Sequence, residues 1–136
     1  MRQFMAVIKF SMALIAGGGS FAAQVYAQEA TMFKLTILYP STPDGRFDFD
    51  YYLNKHMPLS LARQGAAVKS VLVEKGYDAA MPGTALAYVA ICHFTYESQH
   101  AFTDAFLPHA EELQGDIVNY TNITPVIQFS MVELDQ

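Results

Sequence analysis

A histidine and several aromatic residues lie close together between residues 47 and 59 of this chain. His56 follows Phe49, Tyr52 and Leu53 by seven, four and three residues, so an α-helix would carry all four side chains on one face. An imidazole takes up and releases protons near neutral pH, and aromatic neighbours would form a dry pocket around it. The spacing therefore predicts a general acid or base at His56 in an apolar pocket.

The helix that would carry His56 has clear start and stop signals. Asp48 or Asp50 can cap its first turn, and Pro58 predicts an interruption, because proline lacks an amide hydrogen and clashes with the preceding turn. A second helical piece then ends at Gly65, which favours a left-handed cap. The interruption also frees a backbone carbonyl that could bind His56, so a purely structural histidine is an open alternative.

The other nucleophilic and metal-binding residue types give weaker indications. His109 follows Pro108 on a second predicted helix, and His93 lies on a predicted strand, so whether either joins the site stays open. Cys92, the sole cysteine, lies in an apolar run and is expected to be a small buried side chain rather than a nucleophile. No histidine pair has metal-site spacing on a helix or strand, and we expect no metal.

The elements that would position these residues follow a regular order. Alternating apolar residues predict strands at 32–39, 68–77, 85–96 and 125–133, and helical spacing predicts helices before the second strand and, from a Ser98 cap, after the third. The order βαββαβ predicts an α+β, ferredoxin-like fold with two helices on one face of a four-stranded antiparallel sheet. Apolar residues on the other face predict a homodimer packed through the sheet.

The N-terminus has the pattern of a secretory signal peptide. Arg2 and Lys9 supply positive charge, residues 10–23 are uncharged, and Val25-Tyr26-Ala27 offers a cleavage site before Gln28. A retained membrane anchor is the alternative, but the uncharged run of 14 residues is shorter than the roughly 20 needed to span a bilayer. We expect residues 1–27 to be removed, and a periplasmic or secreted domain without membrane contact to remain.

The predicted mature domain, residues 28–136, is long enough for one domain and is acidic. It keeps six of the eight basic residues and all 13 acidic ones, which gives a net charge of −7. Nucleic-acid binding needs a basic surface, so this charge argues against a nucleic-acid partner and leaves a small molecule as the expected one.

Two motifs in the predicted mature domain resemble those of the EthD family. The run Tyr51-Tyr52-x-x-Lys55-His56-Met57-Pro58-Leu59 resembles the signature of the family's first helix. Asp116-Ile117-Val118-Asn119-Tyr120-Thr121 resembles the motif before the last strand. The resemblance extends over about residues 33–134 and implies a dimeric α+β barrel, with the helix histidine in a pocket between sheet and helices.

The resemblance also implies a function. It implies a cofactor-independent oxidoreductase that acts on a small apolar or aromatic organic compound, with His56 as the general acid or base and no cofactor. The expected substrate-binding residues are Tyr39, Phe49, Tyr52, Asp116 and Tyr120, although Asp116 could instead orient a base or cap a turn. The alternatives are a non-catalytic ligand-binding or accessory module, a decarboxylase or isomerase, and a haem-binding protein of the same barrel.

Overall fold

The structure, a computed structural model, describes residues 5–14 and 21–136, with side chains from residue 31 onward. The strands β1 (Met5–Leu14) and β2 (Phe21–Ala30) pair antiparallel in a two-stranded sheet of their own. Both overlap the range of the predicted signal peptide, and its removal stays a prediction.

A four-stranded antiparallel sheet forms the centre of the domain. Its strands are β3 (Phe33–Pro40), β4 (Ser70–Lys75), β5 (Tyr88–Tyr96) and β6 (Val126–Met131). They lie in the order β4-β5-β3-β6, so the first and third strands of the domain are the central pair. With one helical segment after β3 and one after β5, this is a ferredoxin-like α+β fold, as the sequence predicts.

Strict alternation along the strands places one sheet face against the helices. On β5, every second side chain is buried and the intervening ones are half-buried. Leu35 of β3 stands opposite both Phe94 of β5 and Phe129 of β6, so one apolar row crosses three strands. The core is this face together with aromatic residues of the helical side: Phe33, Tyr39, Tyr52, Tyr96 and Tyr120 are each at most 2% exposed.

The first helical segment consists of three consecutive pieces. It contains α1 (Phe49–Tyr51), a π-helical turn (Tyr52–His56) and α2 (Met57–Gln64), and a 3₁₀ turn (Gly65–Ala67) follows. The carboxylate of Asp48 accepts a hydrogen bond from the Tyr51 amide at 3.0 Å, which identifies the N-cap. Gly65 ends the segment with a φ of +62°, where a side chain would be strained.

The second helical segment is interrupted in a different way. It contains α3 (Gln99–Phe106), a 3₁₀ turn (Leu107–His109) and α4 (Ala110–Gly115), and a further 3₁₀ turn (Ile117–Asn119) leads towards β6. The hydroxyl of Ser98 caps α3, as predicted, by accepting from the Ala101 amide at 3.0 Å. None of the helices in the described part of the chain is long and apolar enough to cross a bilayer.

The π-helical turn corrects one expectation. Helical spacing of 3.6 residues places Leu53 on the buried face beside His56, but Leu53 is 47% exposed and Met57 is only 5% exposed. In the turn, the Met57 amide bonds to the Tyr52 carbonyl five residues earlier, which adds one residue to the repeat and rotates later side chains. Met57 therefore takes the inward position expected for Leu53.

The sheet face away from the helices is open and mixed in character. Val126, Leu38 and Ile91 form an apolar row across three strands. In the next row, His93 bonds through Nδ1 to Thr36 Oγ1 at 3.1 Å and through Nε2 to Glu74 Oε1 at 2.9 Å. Leu72 is 56% exposed beside it. This face is the surface through which the sequence predicts a homodimer.

Candidate active site

A cavity of about 250 Å³ lies between the sheet and the two helical segments. This volume is slightly below the usual range for ligand pockets, about 300 to 1,000 Å³, so the ligand must be compact. Most lining side chains are apolar or aromatic, none is a lysine or arginine, and the polar ones are few. The residues that matter for its chemistry are His56, Tyr39, Tyr52, Ser60, Gln64 and Tyr120.

His56 lines the cavity and forms a hydrogen bond with Asp116. Its Nδ1 is 2.8 Å from Asp116 Oδ2, and the two side chains are 11% and 14% exposed. An ionised carboxylate can only accept hydrogen bonds, so Nδ1 is the donor and carries the proton. Nε2 is then the nitrogen left for a ligand, with a free lone pair whenever the imidazole is neutral.

The carboxylate of Asp116 is held in its ionised form by three donors. Burial by itself would raise the pKa of Asp116, but hydrogen bonds from Tyr51, Asn119 and His56 outweigh burial and lower it. The Tyr51 hydroxyl donates to Oδ1 at 2.6 Å, and the Asn119 amide donates to the same oxygen at 2.9 Å. Oδ2 is thereby reserved for the imidazole, which fixes the tautomer of His56.

Tyrosine rings form the walls around His56. The imidazole stacks on Tyr52 with a centroid distance of 5.5 Å and an interplanar angle of 14°, and the Tyr120 ring lies 4.6 Å away. The hydroxyls of Tyr39 and Tyr120 share a hydrogen bond of 2.9 Å. Burial raises the pKa of Tyr39, Tyr52 and Tyr120, so all three phenols stay neutral and make poor proton acceptors at neutral pH. His56 is therefore the group at this end of the cavity that is suited to accept a proton.

A second polar group faces the same cavity. Ser60 and Gln64 lie one and two turns after His56, and they are only 5% and 7% exposed. Gln64 Nε2 donates to Ser60 Oγ at 2.9 Å, and the hydroxyl of the buried Tyr96 donates to Gln64 Oε1 at 2.5 Å. The cavity thus has two polar ends on one helical segment, one at His56 and the other at Ser60 and Gln64.

The cavity opens beside the edge strand β6. Ile127 and Phe129 line it, yet they are 57% and 43% exposed, and Gln114 at the end of α4 is also exposed. This opening gives a small apolar compound a route to His56 without passing a charged side chain of the lining.

The structure brings most of the predicted site residues together. Tyr39, Tyr52, His56 and Tyr120 all line the cavity, and Asp116 bonds to His56. Phe49 is the exception: its ring packs on Phe47 at 4.6 Å and lies 5.2 Å from the Lys75 ammonium, away from the cavity. The first turn of the segment points towards β4, and the uniform helical repeat used for the prediction does not hold across the π-helical turn.

The other three histidines and the cysteine lie outside the cavity lining. His93 is on the open sheet face, His100 is 85% exposed and pairs with Asp104 at 3.0 Å, and His109 is half-buried but does not line the cavity. Cys92 is 1% exposed, and burial raises the pKa of its thiol to about 11, so it is mostly un-ionised at neutral pH. Within the described residues, no three His, Cys, Asp or Glu side chains cluster as a metal site.

Sequence reasoning missed three contributors to the site. Tyr51 was grouped with a motif but given no role, although its hydroxyl helps to hold Asp116. Ser60 and Gln64 were not considered. Their positions four and eight residues after His56 place three polar residues on one helical stripe, and that regularity could have identified them.

The site is of a small-molecule class: a histidine–aspartate pair at an apolar cavity in a ferredoxin-like α+β domain. Solved structures identify the family. The chain is 42% identical to an EthD-like protein from Ralstonia eutropha JMP134, with a TM-score of 0.74, over 78% of this chain and 96% of that one. It is 21% identical to an ethyl tert-butyl ether D (EthD) family protein from Bacillus halodurans C-125, with a TM-score of 0.51, over 71% and 96% of the two chains.

The first of these relatives is similar enough, over nearly its full length, to assign the family. The chain belongs to the EthD-like family. No protein-family model matches the chain, and no curated protein matches it. The prediction of EthD resemblance is therefore confirmed.

Proposed function

We propose that this protein is a cofactor-independent enzyme that moves a proton to or from a small, largely apolar organic compound in the cavity. The observation that carries this proposal is the pairing of His56 Nδ1 with Asp116 at 2.8 Å while His56 lines the cavity. The ionised carboxylate keeps Nε2 free of a proton in the neutral imidazole, and it stabilises the positive charge that His56 gains on accepting one. His56 is the general acid or base.

The cavity supports an apolar or aromatic substrate. Tyr39, Tyr52 and Tyr120 supply flat, buried ring surface around His56, and their hydroxyls stay protonated. A water-poor environment also strengthens the attraction between His56 and Asp116 during proton transfer.

Proton transfer can be tested without knowing the natural substrate. Phenylacetone is a compact aromatic ketone whose methylene hydrogens exchange slowly with D₂O, and proton NMR follows their loss. We expect the protein to accelerate this exchange and His56→Gln to lose the acceleration by about 10²-fold or more, as expected for a general base. A His56→Gln variant that exchanges as fast as the wild type would contradict the proposal.

A cofactor-free oxidation, which the EthD resemblance implies, would begin with the same step. A deprotonated compound is electron-rich and can give electrons to dioxygen, which would then be a co-substrate and the oxidant. Oxygen uptake that requires both the compound and His56 would support an oxidoreductase. Exchange without oxygen uptake would restrict the protein to proton transfer.

A non-catalytic binding module is the second candidate, because the apolar cavity could hold a compound without changing it. The same measurements separate the two candidates. Tight binding of the ketone by both wild type and His56→Gln, with no exchange by either, would favour the binding module over the enzyme.

We also propose that two copies pack through the open sheet face. Leu72 and Val126 are 56% and 50% exposed there, next to the half-buried Leu38 and Ile91. Light scattering should give the mass of a dimer, and Leu72→Asp should give a monomer with an unchanged circular dichroism spectrum. Leu53→Asp, the same change at a 47% exposed leucine on the helical side, is the matched control for an added carboxylate. A monomeric wild type would contradict this assembly.

We also propose that the protein is exported after its N-terminal signal peptide is removed. The four-stranded sheet begins at Phe33, so removal of residues 1–27 leaves every element that builds the cavity. The mature protein would then work in the periplasm or outside the cell. Mass spectrometry of protein expressed with its own N-terminus should find a chain that starts at Gln28 in the exported fraction. A chain that keeps Met1 and stays in the membrane fraction would contradict it.

A further inference from the structure

The three side chains at the second polar end of the cavity have more hydrogen-bond donors than they use. Tyr96 and Ser60 each bring one hydroxyl hydrogen, and the Gln64 amide brings two. Only two hydrogen bonds join these groups, Tyr96 to Gln64 and Gln64 to Ser60, and no other hydrogen bond of theirs occurs among the described residues. Two donor hydrogens are therefore left over.

This surplus does not depend on how the amide is oriented. If the Gln64 oxygen and nitrogen are exchanged, Ser60 donates to the amide oxygen and the amide nitrogen donates to Tyr96. Two hydrogens are again used and two remain, but they are then on Gln64 and Tyr96, whereas the orientation in the structure leaves them on Ser60 and Gln64. Since Ser60 and Gln64 are more than nine-tenths buried and line the cavity, spare donors on them point to a ligand that accepts hydrogen bonds.

The chemistry of that acceptor is limited by charge. The lining contains no lysine or arginine, and the charge of a protonated His56 is already balanced by Asp116, so a carboxylate or phosphate bound at Ser60 and Gln64 would be buried without a counter-charge of its own. A neutral carbonyl oxygen has two lone pairs and fits two donors. We propose that the substrate is a neutral carbonyl compound whose oxygen is bound by Ser60 and Gln64, an inference that rests on the proposed proton transfer at His56.

The acidity of simple carbonyl compounds indicates which hydrogen is removed. His56 and Ser60 are four residues apart on one helix face and both line the cavity, so one compact substrate can contact both side chains. In a neutral carbonyl compound, the acidic C–H hydrogen is on the carbon next to the carbonyl group. We therefore expect His56 to act on this hydrogen while Ser60 and Gln64 bind the oxygen.

The step that follows is enolisation. The C–H bond breaks, its proton moves to His56 Nε2, and its electron pair forms a carbon–carbon double bond as the carbonyl π electrons move onto oxygen. Donors from Ser60 and Gln64 stabilise the negative charge on that oxygen, as in an oxyanion hole. Return of the proton to carbon or to oxygen gives back the ketone or yields its enol, and neither needs a further reactant.

Two probes of nearly the same shape test the inference. Phenylacetone has the carbonyl oxygen, and propylbenzene lacks it. In titrations of the full protein, Ser60→Ala should weaken phenylacetone binding about 3–10-fold and leave propylbenzene binding unchanged or tighter, because only the ketone loses a hydrogen bond. Exchange of the ketone should fall about 10-fold or more, since the donor acts mainly on the developing charge.

Control variants separate this role from a structural one. Ser60→Thr keeps the hydroxyl and should restore the preference for the ketone, and Ser130→Ala on the open sheet face should change nothing. If Ser60→Ala lowers both probes equally, or neither, the inference is overturned. If Ser60→Ala loses only the ketone's extra affinity but wild type shows no exchange, the carbonyl site stands and the proposed proton transfer fails. If His56→Gln abolishes exchange and Ser60→Ala does not alter it, the proposed proton transfer stands and the carbonyl site is overturned.

Discussion

The two helical segments each carry a histidine within two residues of a proline, yet only one of these histidines reaches the cavity. Before Pro58 the chain forms a π-helical turn, and His56 ends that turn facing Asp116 and the cavity. Around Pro108 it tightens into a 3₁₀ turn, and His109 lies outside the cavity lining. Proline in both segments removes an amide hydrogen, but the backbone compensates by widening in one and tightening in the other. A proline next to a histidine therefore does not by itself predict which way the imidazole points.

The largest expected effect separates the two histidines directly. In the exchange assay, His109→Gln should keep at least half of the wild-type rate, while His56→Gln loses about 10²-fold or more. Both substitutions keep a polar side chain of similar size, so each is the other's control. Equal losses in the two variants would mean that the difference between the segments has no functional consequence.

The rotation caused by the π-helical turn should appear in stability. Met57→Ala should lower the free energy of unfolding by about 2–4 kcal/mol, because it empties a buried position, and Leu53→Ala by about 1 kcal/mol or less. Urea unfolding followed by circular dichroism measures both. A larger loss at Leu53 than at Met57 would indicate a regular α-helix with the buried face that simple periodicity predicts.

Asp116, the carboxylate that bonds to His56, should give a smaller, pH-dependent effect. The pKa of Asp116 is lowered in the folded state, below the roughly 3.9 of an unfolded aspartate, so its ionised form stabilises the fold above about pH 4. That contribution is lost as the pH falls through the folded-state pKa. Asp116→Asn should cost about 1–3 kcal/mol at pH 7 and flatten the fall in stability under acid.

Asp50→Asn is the matched control for this measurement, because Asp50 is an exposed carboxylate in the same helical segment as His56. Its stability should follow the wild-type pH curve. If Asp116→Asn has the same stability at each pH as the wild type and the same exchange activity, the contact between Asp116 and His56 has no effect on stability or function.

Much of the fold could be predicted because it depends on local patterns. A few neighbouring residues determine each of three features: the alternation on β3 and β5, the helix cap at Ser98 and the helix end at Gly65. The structure has all three as predicted. The strand after the first helical segment was predicted too long, at 68–77 against Ser70–Lys75. Its ends depend on pairing with β5 rather than on its own residues.

The site was less predictable because its geometry depends on distant parts of the chain. Asp116 reaches His56 across 60 residues, and the sequence could suggest a base-orienting role but not the contact. From the sequence, Ser60 is an ordinary helix residue. Its role depends on Tyr96 of β5, which bonds to Gln64, and Gln64 in turn bonds to Ser60. The π-helical turn has no residue signature that the 3.6-residue repeat could detect, so Leu53 was assigned the buried position that Met57 occupies. Phe49 packs against the core but is not part of the cavity lining where it was expected.

The ring of tyrosines around His56 also makes the cavity observable by light. The chain has eight tyrosines and no tryptophan, so its ultraviolet fluorescence comes from tyrosine alone. Tyr39, Tyr52 and Tyr120 sit at the cavity, two of them within 5.5 Å of the imidazole. A bound aromatic compound would quench a large share of that emission. Occupancy of this protein can therefore be read without any attached dye.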